Sequence, residues 1–239
     1  MSNLLAFDTS TELMGIALVT SSGREVIDAA GGAAASAQLI PSVLSLLDRA
    51  GLTLADVDAI AFGCGPGAFT GLRTACSVAQ GLAFGAGKPV LPVDSLMLVA
   101  EDARLQHEGP AALWVAMDAR MDEIYAAAFE WTGAAWQVTE AAALYAPETL
   151  SARWQATPPA WVAGSALAVF GERLALPTAT RQTPQAVSRA QAVGRLAEQL
   201  WAQGRAVDAA LALPVYVRDK VAQTTAEREA QRLAKEGVV

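Results

Sequence analysis

Gly63-Cys64-Gly65-Pro66-Gly67-Ala68-Phe69-Thr70-Gly71-Leu72-Arg73-Thr74 follows the apolar run Asp58-Ala59-Ile60-Ala61-Phe62 and opens a stretch of helical periodicity from Thr70 to Phe84. The three pieces read as a strand, a glycine-rich loop and a helix. The loop is not a Walker A loop, because no Gly-Lys-Ser/Thr follows at the required spacing, and it is not a Gly-x-Gly-x-x-Gly dinucleotide fingerprint. In the helix, Leu72, Ala75, Cys76, Ala79, Leu82 and Ala83 share one face at about 100° per residue and are expected to pack on a sheet. The other side carries Thr74, Ser77, Val78, Gly81 and Phe84, all small or apolar, with Arg73 and Gln80 as a polar seam. A helix apolar on nearly all sides is expected to be covered on both. Gly81 costs such a helix about 1 kcal/mol relative to Ala, which the close approach of a second helix would offset. The expected cover is either another element of this chain or a helix of a partner, and the partner is the preferred reading.

Working outward, the same order of elements appears twice. The first half has apolar strands at Leu4–Phe7, Gly15–Val19 and near Glu25–Ile27, a helix from Ser36 to Ala50, the strand Asp58–Phe62, the loop helix, a strand at Pro89–Val93, and a helix capped by Ser95. The second half has strands at Leu113–Met117, Glu123–Trp131 and Ala135–Glu140, a helix from Pro147, a short strand at Trp161–Ala163, a helix from Ala166, and a longer helix from Gln185 to Gln203. Three strands, helix, strand, helix, given twice, predicts an α/β protein of two duplicated lobes, each a mixed sheet flanked by helices. A single doubly wound sheet would use the same elements. The lobes are expected at 1–106 and 107–222, with 223–239 a short helix or a disordered tail.

Composition narrows the function. The chain has 239 residues, 53% of them hydrophobic and 17% charged, with a net charge of −7. That balance argues against direct gripping of RNA, since phosphate binding calls for a basic surface. No apolar run is long enough to span a membrane, and Met1–Ser10 reads as a first strand rather than a leader peptide. The single His107, read as a solvated linker residue, and the separated Cys64 and Cys76 make no metal-ligand spacing. The cysteines read as buried small hydrophobes of a cytoplasmic protein. The polar turn Asp8-Thr9-Ser10-Thr11 between the first strands could hold an anion and a hydrated Mg²⁺, or serve only as an Asx or Ser/Thr turn.

Phe7-Asp8-Thr9-Ser10-Thr11 and the glycine loop together closely resemble the TsaB family, also called YeaZ, within the actin-like (ribonuclease H-like) superfamily. Gly65, Pro66, Gly67, Phe69 and Thr70 match the family's G-P-G-S-F-T-G-L-R loop, with Ala68 in the place of its Ser. Met117-Asp118-Ala119-Arg120 and Pro214-Val215-Tyr216-Val217-Arg218 look like its D-A-R and P-x-Y-L-R segments, so Asp118, Arg120, Tyr216 and Arg218 join the matched positions. Ala35-Ser36 stands where the family often has His-Ser. The resemblance implies a non-catalytic scaffold subunit of the machinery that forms N6-threonylcarbamoyladenosine in tRNA. It implies pairing with the related TsaD, with TsaE joining, and tRNA reached only through the complex. It also implies no tightly bound cofactor, with ATP or ADP only in the partner complex, and it allows a homodimer when the chain is alone. The partner surface is expected on the loop helix, at Gly71, Arg73, Thr74, Ser77, Val78, Gly81 and Phe84. Two enzymatic alternatives fit less well. A small-molecule kinase wants a second glycine-rich phosphate motif, where this chain has Asp118-Ala119-Arg120 and only Gly164-Ser165 as a pocket for adenosine. A metallopeptidase wants a metal-bound water or an activated nucleophile, for which the sequence supplies no set of residues.

Overall fold

The computed structural model of the chain describes residues 2–107 and 112–218. The expectation for the tail at 223–239 lies outside the described residues, as does the stretch 108–111 after His107. The first half runs β1 (Leu4–Asp8), β2 (Leu13–Thr20), β3 (Gly23–Ala30), α1 (Ala35–Arg49), β4 (Ala59–Gly65), α2 (Phe69–Ala86), β5 (Val90–Asp94) and α3 (Ser95–Gln106). The second runs β6 (Ala112–Arg120), β7 (Glu123–Trp131), β8 (Trp136–Tyr145), α4 (Pro147–Ala156), β9 (Trp161–Ala163), α5 (Ala166–Phe170), β10 (Arg181–Thr183) and α6 (Arg189–Ala202).

The strand order β3-β2-β1-β4-β5 is repeated as β8-β7-β6-β9-β10. In each sheet the first three strands form an antiparallel meander and the last two run parallel to the first. The fold is thus two duplicated actin-like, ribonuclease H-like lobes with mixed sheets.

Alternation along the strands builds three cores. Leu5, Phe7, Ile16, Leu18, Ile60 and Phe62 face α1 and α2 on the outer side of the first sheet. The neighbouring positions, Leu4, Ala6, Ala17, Ala59 and Ala61, point the other way, into a central core shared with α3, α6 and the inner face of the second sheet. Trp154 of α4 and Phe170 of α5 fill the outer side of the second sheet. Burying one such large apolar side chain is worth about 1.5–3 kcal/mol. The inner strand positions of the first sheet are small because α6 lies close: a Cβ on Gly15 would sit 2.4 Å from the Ala190 backbone nitrogen.

Several boundaries differ from the sequence reading. α6 begins at Arg189, not Gln185, because the Ser188 hydroxyl accepts the Gln191 N–H and so fixes the cap there. Asp94, not Ser95, caps α3, its carboxylate accepting from Leu96 and Met97. β10 had no counterpart in the expected strands. His107 is half-buried, edge-on to Trp161 at 5.5 Å, rather than solvated. After α6 the chain returns to the first lobe: Val207 bridges to Val90, Ala209 and Ala212 enter the outer core, and the Val215 N–H donates to the Cys64 carbonyl.

Candidate functional site

The two lobes face each other across a cleft of about 510 Å³. Its first wall is the β1–β2 turn and the start of α2; its second is the β6–β7 turn and the β9–α5 loop; Leu96, Val99 and Arg189 on the central helices complete the lining.

The structure places the Asp8–Thr11 turn at this cleft but turns most of its oxygens inward. Asp8, Thr9 and Ser10 are buried. The Asp8 carboxylate accepts from Arg189 Nη2 at 2.5 Å, from Ser10 Oγ at 2.9 Å and from Ser95 Oγ at 3.3 Å. Ser95 Oγ in turn accepts the Gly65 N–H at 3.0 Å. Thr9 Oγ1 donates to the Gly71 carbonyl at 2.7 Å. Both members of the Asp8–Arg189 pair are at most 1% exposed, so each charge depends on the other for its stability in the interior. The glycines of the motif are there for space. A Cβ on Gly63 would sit 1.8 Å from Asp8 Oδ1, and one on Gly71 would sit 1.8 Å from the Thr9 carbonyl oxygen. Arg189 was not among the residues singled out in the sequence, where it lies inside the helix expected from Gln185 to Gln203.

The fold brings the motif segments together. Phe69 lies against Tyr216, 5.3 Å between ring centroids, and the Arg73 guanidinium covers the Phe69 ring while its Nε donates to the Tyr216 hydroxyl. Arg218 Nη2 donates to Glu123 and to the Arg120 carbonyl. Arg120 donates to Asp118 within its own turn and to Glu12 across the cleft, both through exposed bridges. Arg120, Met121 and Asp122 all have positive φ, near +60°; such residues cost roughly 1–2 kcal/mol each when they are not glycine. Asp122 and Glu148 share Arg173, whose hydrogen bonds hold both carboxyls below the usual carboxylate range. Gly164-Ser165 has a local role: a Cβ on Gly164 would sit 2.3 Å from the Ala116 carbonyl oxygen, and Ser165 Oγ accepts the Asp118 N–H. Burial pushes the Cys64 thiol up to about 12, and Cys76 donates to the Ala212 carbonyl. Among the described residues, no group of three or more His, Cys, Asp or Glu is placed to hold a metal ion, and no helix is long and apolar enough to cross a membrane.

The partner-face residues divide. Arg73, Ser77, Gly81 and Phe84 are exposed, with Thr74 and Val78 half-buried beside them. Gly71 does not share this face, being buried against Thr9. Leu82, expected on the sheet side, is only half-buried. Among the described residues, neither α1 nor the second lobe covers the outer face of α2: none lies within 4 Å of a Cβ built on Gly81 or Gly85, and Phe84 is 59% exposed. Ile40 and Leu44 of α1 are exposed as well.

Two lobes of one topology, joined by central helices and facing a shared cleft, define the actin-like class. Residues 16–238 match the family model described as TsaD, tRNA N6-adenosine threonylcarbamoyltransferase. The tRNA threonylcarbamoyladenosine biosynthesis protein TsaB of Escherichia coli is 31% identical over 92% of this chain and 96% of its own length. TsaB of Haemophilus influenzae is 42% identical, but there the alignment takes in 51% of each chain, so this chain spans about half of that relative. The structure of YeaZ from Pseudomonas aeruginosa superposes with a TM-score of 0.80 at 38% identity, covering 90% of this chain and 100% of the other. The chain belongs to the TsaB (YeaZ) family of tRNA threonylcarbamoyladenosine biosynthesis proteins.

Proposed function

We propose that this chain is a non-catalytic subunit that pairs with TsaD through the outer face of its first lobe and supports TsaD in transferring the threonylcarbamoyl group to tRNA. The observation that carries this reading is the bare outer face of α2. Among the described residues, Gly81 and Gly85 have open space above them and Ser77 in the same row is exposed, flanked by Phe84 and by Ile40 and Leu44 of α1. A helix interior gives up about 1 kcal/mol for each glycine. A glycine row facing water gains nothing in return, whereas a glycine row under a second helix admits close backbone approach. The match to the family model described as TsaD supports TsaD having a fold like this chain's own.

The Asp8–Arg189 pair supports the absence of tight nucleotide binding by the chain alone. Of the two carboxylates at the first turn, Asp8 is neutralised internally by Arg189 and Glu12 is paired with Arg120 across the cleft, so Asp8 is not free to organise a hydrated Mg²⁺. ATP or ADP, TsaE and tRNA belong, in this reading, to the assembled complex. The test is reconstitution. TsaD, TsaE and a source of threonylcarbamoyl-adenylate should modify tRNA when this chain is present and fail to do so when it is omitted. Equal modification without the chain would remove the scaffold role.

A further inference from the structure

We propose that the interlobe cleft is a binding site for an uncharged, largely apolar small molecule. Its rim is made of side chains that the folded chain leaves open. Leu13 of β2 and Val215 and Tyr216 of the returning segment stand on the first-lobe side; Met121 of the β6–β7 turn and Val169 of α5 stand on the second. All five line the cleft, and each is between 41% and 62% exposed. Apolar side chains scattered singly over a surface are ordinary, but five that converge on one opening from both lobes mark a binding surface. Below the rim the wall continues with Phe69, Leu96, Val99 and Met117. Met121 adds an independent observation. Its φ of +56° is a left-handed conformation that disfavours any residue with a Cβ, and its exposed side chain gains little packing within the chain in return. Strained backbone of this kind gathers at ligand-binding positions, and a ligand lying against Met121 would supply the missing contact.

Charge and size decide the class of ligand. The charged side chains that line the cleft are Glu12, Asp102, Asp118, Arg120, Arg189 and Arg218, and each is already engaged within the protein. Arg120 pairs with Glu12 and Asp118, Arg189 with Asp8, and Arg218 with Glu123. Asp102 accepts the N–H groups of Val187 and Ser188 and one from the Gln106 amide. An ionic ligand would enter this apolar space without a free counter-charge, which is costly; an uncharged one would not. Tyr125, half-buried on the same wall, has a hydroxyl with no hydrogen-bond partner among the described residues, and it can orient a neutral ligand through a single hydrogen bond. An α-helix is about 10 Å across, so the cleft volume of about 510 Å³ would hold little more than one turn of a partner's helix. The same volume lies within the range of about 300–1,000 Å³ usual for small-molecule sites, which favour domain boundaries and apolar walls with few polar groups.

The experiment is a fluorescence titration of the full chain with the neutral probe N-phenyl-1-naphthylamine and with 8-anilino-1-naphthalenesulfonate, the same body carrying a sulfonate. Saturable binding of the neutral probe at one site is expected, with the sulfonate bound at least about tenfold more weakly. Val169→Asp places a charge on the exposed rim and should weaken binding of the neutral probe at least about tenfold. Met121→Asn keeps a residue type tolerated at positive φ but removes the apolar contact, and should weaken it about threefold to tenfold. Val138→Ser on β8, exposed and outside the cleft, should leave it unchanged. No saturable binding, a sulfonate bound as tightly as the neutral probe, undiminished binding in Val169→Asp and Met121→Asn, or equal weakening in Val138→Ser would each overturn the proposal. If one of the two rim variants does not fold, the other decides.

Discussion

Gly81→Leu separates the fold of the subunit from its pairing. Gly81 lies inside α2, five residues before its end, with none of the described residues within 4 Å of an added Cβ. Within the isolated chain the substitution removes a helix-interior glycine and meets no obstacle. It should raise stability by up to about 1 kcal/mol, a Tm increase of roughly 2–4 °C for a chain of this size. Across an interface the sign reverses. Helices that pack through glycine come together at about 8–10 Å or less, and a leucine placed between them forces displacement costing about 1–3 kcal/mol. Each 1.4 kcal/mol is about tenfold in affinity, so pairing with TsaD should weaken by roughly fivefold to a hundredfold or more. Calorimetric unfolding of the chain alone and titration against TsaD read the two effects separately. A fall in Tm would show that another part of this chain covers Gly81. Full retention of affinity would take the interface off this face.

Other expected outcomes rest on the interior. Asp8→Asn leaves the Arg189 charge buried without its counter-ion and should cost about 3–5 kcal/mol in urea unfolding; the double variant Asp8→Asn/Arg189→Met should lose clearly less than the two single changes added together. Cys64 and Cys76 are buried, with their thiols pushed up by desolvation, so a thiol reagent at pH 8 should leave both unmodified until the protein is unfolded; rapid labelling of the native chain would contradict the packing. Asp122 and Glu148 are carboxyls whose folded values are lowered, chiefly by hydrogen bonds from Arg173. Their contribution is therefore present above the usual carboxylate range, near pH 4, and is lost as pH falls through the lowered values. Arg173→Gln should be less stable than the unaltered chain at pH 7, with the gap narrowing as pH falls below about 4 and in high salt; a gap that does not narrow with falling pH would assign another role to Arg173.

The duplicated order of elements could be read from the sequence because it is written locally. Alternating apolar residues mark β1, β4 and β6, Pro147 opens α4, and Gly204 follows α6. β10 could not, since three residues, Arg181-Gln182-Thr183, carry no usable period and take their pairing from β9. The start of α6 also depends on partners distant in sequence: Asp102 accepts the N–H groups of Val187 and Ser188, and Asp28 accepts that of Ala190. The glycine loop, the first turn and the Asp118–Arg120 segment were recognisable as patterns, yet their chemistry was not. Asp8 meets Arg189 across 181 residues, and an isolated turn with an acid and three hydroxyls gives no sign that a guanidinium fills the space beside it. Gly15 and Gly63 held the available clue, as positions where a backbone or a buried carboxylate leaves no room for a Cβ. The small and apolar residues of the outer face of α2 were visible in the sequence, but whether α1 or the second lobe covers that face was decided only by where they lie.

Pairing itself is the most direct test: gel filtration with light scattering on this chain alone, on TsaD from its own organism, and on their mixture. A new peak at the summed mass of one copy of each is the expected result, diminished in Gly81→Leu. Separate peaks at micromolar concentration, at low and physiological salt and with or without ATP, would contradict a role as the subunit that pairs with TsaD.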